Sequence, residues 1–561
     1  MGADARATGA ARRPEAVPEL QAKSAWPGLL AATEPDAPIC RLLAHWIQRQ
    51  RWFGAKARAL RRVFILDAVP LSESLSLALA EVAYVAGAPE RYAIPLAWMP
   101  ATPTSLHVVA RLQGACSGFL CEASAAPAFH KQILEIVRGE RRVAGGQGEL
   151  VGHRAQPLPP DDPGPARLLS AEQSNSSIRY GERHILKLFR KLEAGVNPDV
   201  EVNRFLAHAP AFRHAPPFHG WIDYEGRDAQ SASVALLQGF VANRGDAWGR
   251  TLEALTQWLE RAAHDAGPPP SWRGRLDIAH AARAAEVAAP LGADWGELQL
   301  LGRRTAQLHL KLASEPENAA FAPEPFTLAD RAALHDVLRR RTQRSLTLLQ
   351  RELPNLPGRV AALATDVVAA SQRIELLLER WRQTRIEARR IRCHGDFHLG
   401  QVLSTGSDFA IIDFEGEPAL DLSERRRKHS PLRDVAGMMR SFHYAASSAF
   451  QTVLQADASR RADTQARNRQ GSAASEDRHR RLQEWADFWY RWVSTAFGRA
   501  WVAELQGSGL LPPDGQALHV LLDMHLLEKA LYELEYELNN RPDWLPIPLR
   551  GVVDLVASAR A

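Results

Sequence analysis

The stretch CHGDFHLGQ, residues 393–401, decides how the chain is read. It packs a cysteine, two histidines, an aspartate, two glycines and a glutamine into nine residues without helix or strand periodicity. The run VLSTGSDFAIIDFEGE follows it directly and ends an apolar stretch on an acid. So polar and irregular a segment is poor core material. A metal site, a catalytic loop and a simple turn all have to be weighed.

The metal reading rests on the alternation of His394, Asp396 and His398, with Cys393 adjacent. It lacks a second cluster at ligand spacing, and the glycines favour a tight loop. A phosphoryl-transfer reading accounts for more. Catalytic loops of the form H-R-D-x-x-x-x-N use the Asp to accept a hydroxyl proton and the Asn to hold magnesium. His394-Gly395-Asp396 is followed at the same offset by Gln401, whose amide can offer a carbonyl oxygen to a hard cation. The strand FAIIDFE then delivers Asp413, where a second metal-holding carboxylate is needed.

Such chemistry also requires a turn over the phosphates, a strand lysine and a helix acid. The segment EQSNSSIRYGERHILKLFRKLEAGVNPDVEVNRFL supplies them upstream. Ser174, Asn175 and Ser176 form a hydroxyl- and amide-rich turn. Lys187 lies inside the apolar strand ILKLF, where an unpaired charge is costly. Asn197 caps a helix with Pro198 at its first position. Glu201, one turn in, is the expected partner of Lys187, and Asp199 is read as a helix-dipole residue. Gln238, Gly239, Phe240 and Val241, after the apolar run SVALL, are the expected hinge that reads adenine through its backbone.

Composition narrows the alternatives. An apolar fraction of 46% and a charged fraction of 24% are those of a globular chain. The net charge of +5 over 561 residues gives no nucleic-acid face, and the basic run Arg425–Lys428 reads as a solvated turn. Four cysteines make no disulfide framework, and no apolar run is long enough for a membrane span. The N-terminal residues lack a signal-peptide apolar core and read as a disordered tail, so a cytoplasmic location is expected.

Short β-like runs (RRVFILDAVPL, LALAEVAYV, RYAIPLAW) fill the first part of the chain, and amphipathic helices fill most of its second half. A loop rich in Gly, Pro and Asp at 157–165 marks an expected boundary. The expected organisation is a tail over 1–25, a mixed unit over 26–150, a β-rich unit over 151–241 and a helical unit over 242–561. Within the last, 455–479 is polar and expected to be a flexible insertion.

With these residues in hand, the sequence resembles the kinases related to aminoglycoside and choline phosphotransferases, through the H-G-D-x-H loop and the later I-D-F-E. More specifically it resembles bacterial maltokinases, through QRWFGAK, EQSNSSIRYGERHILKLFRKL, NPDVEVNRFL, CHGDFHLGQVL, IIDFEGEP, SPLRDVAGMMRSFHYAA and ALYELEYELNNRPDWLPIPLRG. These stretches run from about residue 46 to 551. The long N-terminal tail and the 455–479 insertion depart from the family's pattern.

The resemblance implies an α+β, bilobal protein-kinase-like fold with an N-terminal cap subdomain and a mostly helical C-lobe. It implies ATP and Mg²⁺ as cofactors, maltose as substrate and maltose 1-phosphate as product, feeding α-glucan synthesis, with trehalose synthase as a candidate partner. An aminoglycoside or amino-sugar kinase would use the same catalytic residues. In this frame Asp396 is the base, Gln401 and Asp413 hold the metal, and Lys187 holds the phosphates. His394 and His398 orient the loop, and Asp434 braces it through backbone N–H groups. His309, on an amphipathic helix, is read as a satisfied core histidine. A sugar platform is sought in ALYELEYELNNRPDW: Tyr532 and Tyr536 share a helix face, with Glu533, Asn540 and Trp544 nearby. Arg440 is a further sugar-binding candidate.

Overall fold

The computed structural model describes residues 17–31, 37–103, 105–159, 164–169, 174–208, 210–227, 231–265, 294–464 and 472–558, with positions 269, 276 and 278. The chain divides into two compact units, 2–242 and 243–561.

The first unit holds two seven-stranded sheets. One runs in the order Glu19–Ala22, His107–Gly114, Gly118–Glu122, Glu90–Met99, Leu75–Tyr84, Leu60–Ser72, with Lys191–Leu192 added to Glu90–Met99. Only the first pair is parallel. The strand Leu75–Tyr84, LSLALAEVAY, is apolar almost throughout because both its faces are covered. Leu77 and Leu79 enter one core, with the helix Pro127–Arg138 and the second sheet. Ala78, Ala80 and Val82 enter another, with the helix Pro38–Ile47. The strand period of two thus splits one segment between two cores.

The second sheet is antiparallel throughout, in the order Arg142–Ala144, Gly148–Arg154, Phe218–Gly226, Ser231–Gly239, His184–Leu188, Ser176–Tyr180, Ala166–Leu168. Helix Pro127–Arg138 lies against it so closely that a Cβ at Gly152 would stand 2.0 Å from the Ile136 carbonyl oxygen. Only glycine fits there.

Two expected boundaries move. Residues 142–154 belong to the second sheet, so the break expected at 150 falls inside it. The 157–165 loop likewise connects two strands of one sheet. Hydrogen bonding to Phe218–Gly226, far along the chain, outweighs the local Gly/Pro signal. The tail expected over 1–25 ends before Glu19, where Leu20 and Ala22 are buried beside His107–Gly114. Residues 1–16 lie outside the described ones.

The second unit is helical. Helix Leu432–Thr464 packs on Ala247–Asp265, Ser472–Glu504 and Gly515–Asn540, and Asp294–Leu312 packs on Ser472–Glu504. A small hairpin, Val402–Ser404 with Phe409–Ile411, and a short antiparallel strand pair, Glu324–Pro325 with Arg389–Arg390, interrupt the helices. The polar stretch 455–479, expected to be a flexible insertion, is helical in its described parts, up to Thr464 and from Ser472. Its Ala, Arg and Glu residues are strong helix formers, and Arg478 Nε meets Asp457 Oδ2 at 2.6 Å. Residues 465–471 lie outside the described ones. Among the described residues no helix is long and apolar enough to cross a membrane.

Candidate active site

In the helical unit, the 393–401 loop is fixed at its start by reciprocal backbone hydrogen bonds between Ile391 and His429, both 2.9 Å. Gly395 takes φ +87°, a left-handed turn that L residues resist. Asp434, at the N-terminus of Leu432–Thr464, accepts the N–H groups of His394 (2.8 Å) and Gly395 (2.9 Å). It also receives His309 Nε2 at 3.0 Å. The Trp501 indole donates to His309 Nδ1 at 2.9 Å, which puts the imidazole proton on Nε2. Burial would push the Asp434 carboxyl up, but the hydrogen bond from His309, the nearby imidazoles and the Gly395 N–H hold it at about 2. A chain Trp501–His309–Asp434 therefore anchors the loop, and His309 is a satisfied core residue.

Gly437 lies one turn after Asp434 on the same helix. A Cβ there would meet the Phe397 carbonyl oxygen at 2.7 Å, so glycine lets helix and loop touch. His394 Nε2 reaches the Ile412 carbonyl at 2.9 Å, and His398 Nδ1 accepts the Gly400 N–H at 3.0 Å. Both histidines are thus engaged with backbone. The Cys393 thiol is buried among the carbonyls of Ile391, His429 and Ser430, all 3.6 Å away. Burial raises it well above the usual thiol range, which disfavours a thiolate metal ligand.

The hairpin after the loop brings Gln401 and Asp413 together. Val402 pairs with Ile411, and the flanking Gln401 Nε2 donates to Asp413 Oδ2 at 2.8 Å. Asp413 takes φ +66°, an uncommon conformation for a non-glycine residue and of the kind found at functional sites. A carboxylate and an amide oxygen suit a hard cation such as magnesium. A half-turn of the amide would present its oxygen instead of its nitrogen.

Asp396 lines a small open cavity with Gly395, Glu417, His525, Lys529 and Tyr532. Lys529, in the helix Gly515–Asn540, lies 3.4 Å from Asp396 Oδ1. Burial would raise the Asp396 carboxyl, but the Lys529 ammonium, aided by His398 and His394, holds it below the ordinary value. Lys529 itself is raised: burial opposes its charge, and Asp396, Glu417 and Glu533 overcome that. The sequence reading missed Lys529, whose signal was a lysine amid a helix with many buried positions.

Of the expected sugar residues, only Tyr532 lines this cavity. Tyr536 stacks on it at 6.5 Å and is 43% exposed. Glu533 and Arg440 instead form a buried ion pair, with Nη2 2.7 Å and Nε 2.8 Å from Oε2. Both lie inside the helical packing, because Glu533 falls on the face of Ala530 and Glu537. Asn540 Nδ2 binds the Tyr536 carbonyl at 2.8 Å, closing the helix end. Trp544 stacks on Tyr444 at 5.8 Å. These four positions make contacts within the chain and do not line the pocket that holds Asp396.

In the β-rich unit, Lys187 Nζ lies 2.9 Å from Asp199 Oδ2, and both are buried. The pairing expected with Glu201 is corrected. Asp199 shares a helix face with Val202, Asn203 and Leu206, all buried, whereas Glu201 lies toward the less buried side with Arg204. Asn203 Nδ2 donates to Asp199 Oδ1 at 2.8 Å, and its own oxygen accepts from Gln238 Nε2 at 2.9 Å. The ion pair is thereby linked to the expected hinge. There the N–H groups of Gly239 and Phe240 are committed to the carbonyls of Pro217 (2.8 Å) and Arg183 (2.9 Å). Val241 follows the strand end. Ser174, Asn175 and Ser176 close the connection between Ala166–Leu168 and Ser176–Tyr180, and Ser177 sits opposite Lys187 in the next strand.

Comparison with known proteins accords with this architecture. Residues 46–124 match the maltokinase N-terminal cap domain. A glucosamine kinase of Streptacidiphilus jiangxiensis is 29% identical over 315 residues, 56% of this chain and 57% of that protein. A glucosamine kinase of Mycolicibacterium smegmatis is 23% identical over 291 residues, 50% of this chain and 59% of that protein. The chain therefore spans less than two thirds of the length of these relatives. A solved glucosamine kinase in complex with glucosamine, ADP and inorganic phosphate aligns with a TM-score of 0.57 at 18% identity, covering 94% of this chain and 99% of that one. A second crystal form of a glucosamine kinase gives 0.58, again at 18%. Likeness at this identity speaks to fold. The chain has the fold of these glucosamine kinase structures, and its residues 46–124 match the maltokinase N-terminal cap domain.

Proposed function

We propose that the chain is a sugar kinase that transfers the γ-phosphoryl group of ATP to the anomeric hydroxyl of maltose. Asp396 accepts the hydroxyl proton as the sugar oxygen bonds to phosphorus and ADP leaves with the bridging oxygen. Lys187, held by Asp199, neutralises the nucleotide phosphates, and Ser174, Asn175 and Ser176 border them. Asp413 and Gln401 are the residues that would hold Mg²⁺. When bound, the ion offsets charge on the phosphate oxygens. Asp434 keeps the base in place by binding its loop.

The observation that carries the choice of sugar is the charge around Asp396. In the cavity Lys529, Arg341 and Arg433 face Asp396, Glu417 and Glu528, so the acids are matched by cations. Arg433 lies 3.5 Å from Glu417, and Lys529 lies 3.4 Å from Asp396. A site for an ammonium sugar needs spare carboxylate, while a neutral polyol suits a balanced set of donors and acceptors. The maltokinase-type cap supports the same choice. An amino-sugar kinase is the second reading, favoured by the glucosamine kinases among the relatives.

The test is a panel of maltose, glucose and glucosamine with ATP and Mg²⁺, followed by phosphorus NMR. An anomeric phosphate on maltose is expected. Preferential turnover of glucosamine would establish the second reading in its place.

A further inference from the structure

Arg190 is 1% exposed, and a buried guanidinium is tolerable only where charge and donors are met. Its contacts come from two sides of the first unit. From the cap sheet, Glu122 Oε1 receives Nη2 at 3.0 Å, and the Ala93 carbonyl lies 3.4 Å from Nη1. The Trp52 ring stands 4.9 Å beneath the guanidinium. Toward the β-rich sheet, Nε donates to Ser176 Oγ at 2.8 Å, and the Arg190 backbone N–H donates to Asn175 Oδ1 at 3.4 Å. Glu122, itself buried, is steadied by Ser124 Oγ at 2.7 Å.

The cap carboxylate thus neutralises the cation that grips the 174–176 turn. We propose that the cap sets the affinity for nucleotide: Glu122, through Arg190, fixes Asn175 and Ser176 in the position that receives the ATP phosphates. The inference rests on the reading of that turn as the phosphate turn. Arg190 is a positioning residue, its side chain engaged by the cap and by Ser176. The cap is then part of the nucleotide site's support, and Glu122, Arg190 and Ser176 act as one unit.

The experiment measures KM for ATP and for the accepted sugar, with thermal unfolding, in Glu122→Gln, Arg190→Lys, Asn175→Ala and Ser176→Ala. Glu122→Gln keeps the shape and removes the charge. KM for ATP is expected to rise about tenfold in the Glu122 and Arg190 variants, within the usual range of coupling between sites, with KM for the sugar nearly unchanged. Glu122→Gln with Ser176→Ala should be no worse than the worse single change, since neighbours on one path are not additive. Glu122→Asp, which keeps the charge, should recover part of the loss.

If Glu122→Gln fails to fold, the pair Glu122→Met and Arg190→Met removes both charges at similar volume and should fold with KM for ATP still raised. If Asn175→Ala and Ser176→Ala raise KM for ATP while the Glu122 and Arg190 variants do not, the cap has no such role and the phosphate turn stands. A parallel rise of both KM values with loss of stability likewise overturns the proposal. If all four variants bind ATP normally, the turn is not the phosphate site and both readings fall.

Discussion

Lys187 and Asp199 meet at 2.9 Å, and the same carboxylate is held from behind by Asn203, whose amide also binds Gln238. One strand lysine, one helix and the start of the expected hinge thereby share a single polar chain. Buried polar groups linked in this way hold one geometry, because each member left unpaired is costly. A phosphate-binding lysine gains from that rigidity, since its ammonium is already aimed when nucleotide arrives.

The first prediction separates Asp199 from Glu201. Asp199→Asn keeps the shape but strips the charge that partners a buried lysine, so KM for ATP should rise at least tenfold and the Tm should fall. Breaking a buried pair from one side typically costs about 3–5 kcal/mol. Glu201→Gln should remain near wild type in both. Steady-state kinetics and thermal unfolding decide it; equal effects at the two positions would remove Asp199 from its role.

Asp396→Asn should lower kcat by about 10²–10⁴ while leaving nucleotide affinity nearly intact, because the base acts on the acceptor. Lys529→Met tests the ion pair. The Lys529 ammonium holds the Asp396 carboxyl below its ordinary value, and a base must be deprotonated to work. Removing Lys529 should therefore move the acid limb of kcat/KM to higher pH. A limb that stays in place would show that Lys529 does not tune the base.

How much of this was legible in the sequence depends on whether the partners are near in the chain. The loop residues Asp396, Gln401 and Asp413 lie close together, and the hairpin that joins the last two spans few residues. Lys529 reaches Asp396 across 133 positions, and nothing in local periodicity points across that distance. Asp199 is a different case. Val202 and Leu206 share its helix face, so the 3.6-residue period alone marks it as the inward acid. Glu201 was favoured because the helix was read by offset from its cap and not by face. Glu533 and Arg440 misled for a related reason: charged side chains usually lie at surfaces, and only tertiary packing reveals that these two satisfy one another inside the helices.

Asp434→Asn should destabilise the protein near neutral pH and weaken its dependence on acid. The Asp434 carboxyl sits at about 2 when folded, below the roughly 3.9 of an unfolded aspartate. A depressed carboxyl contributes stability that is complete above the unfolded value and is lost as pH falls through the folded one. Wild type should therefore lose this contribution between about pH 4 and pH 2. The variant should lose less across that window, as read by chemical denaturation at several pH values.

The last prediction concerns the two tyrosines. Tyr532 lines the cavity that holds Asp396, while Tyr536 stacks against it from outside and is 43% exposed. If maltose is the acceptor, the ring that is phosphorylated must lie near Asp396, within reach of Tyr532. The second ring must extend away from the base, and the exposed face of Tyr536 offers it an apolar platform. Tyr532→Ala should then raise KM for glucose and maltose alike, because both sugars place a ring at the base. Tyr536→Ala should raise KM for maltose alone, by roughly fivefold to thirtyfold, the loss of about 1–2 kcal/mol of stacking and ordered contact. Should Tyr536→Ala shift glucose and maltose equally, the second ring lies elsewhere. Should neither change affect any sugar, the tyrosine pair is packing and the acceptor approaches Asp396 from another side.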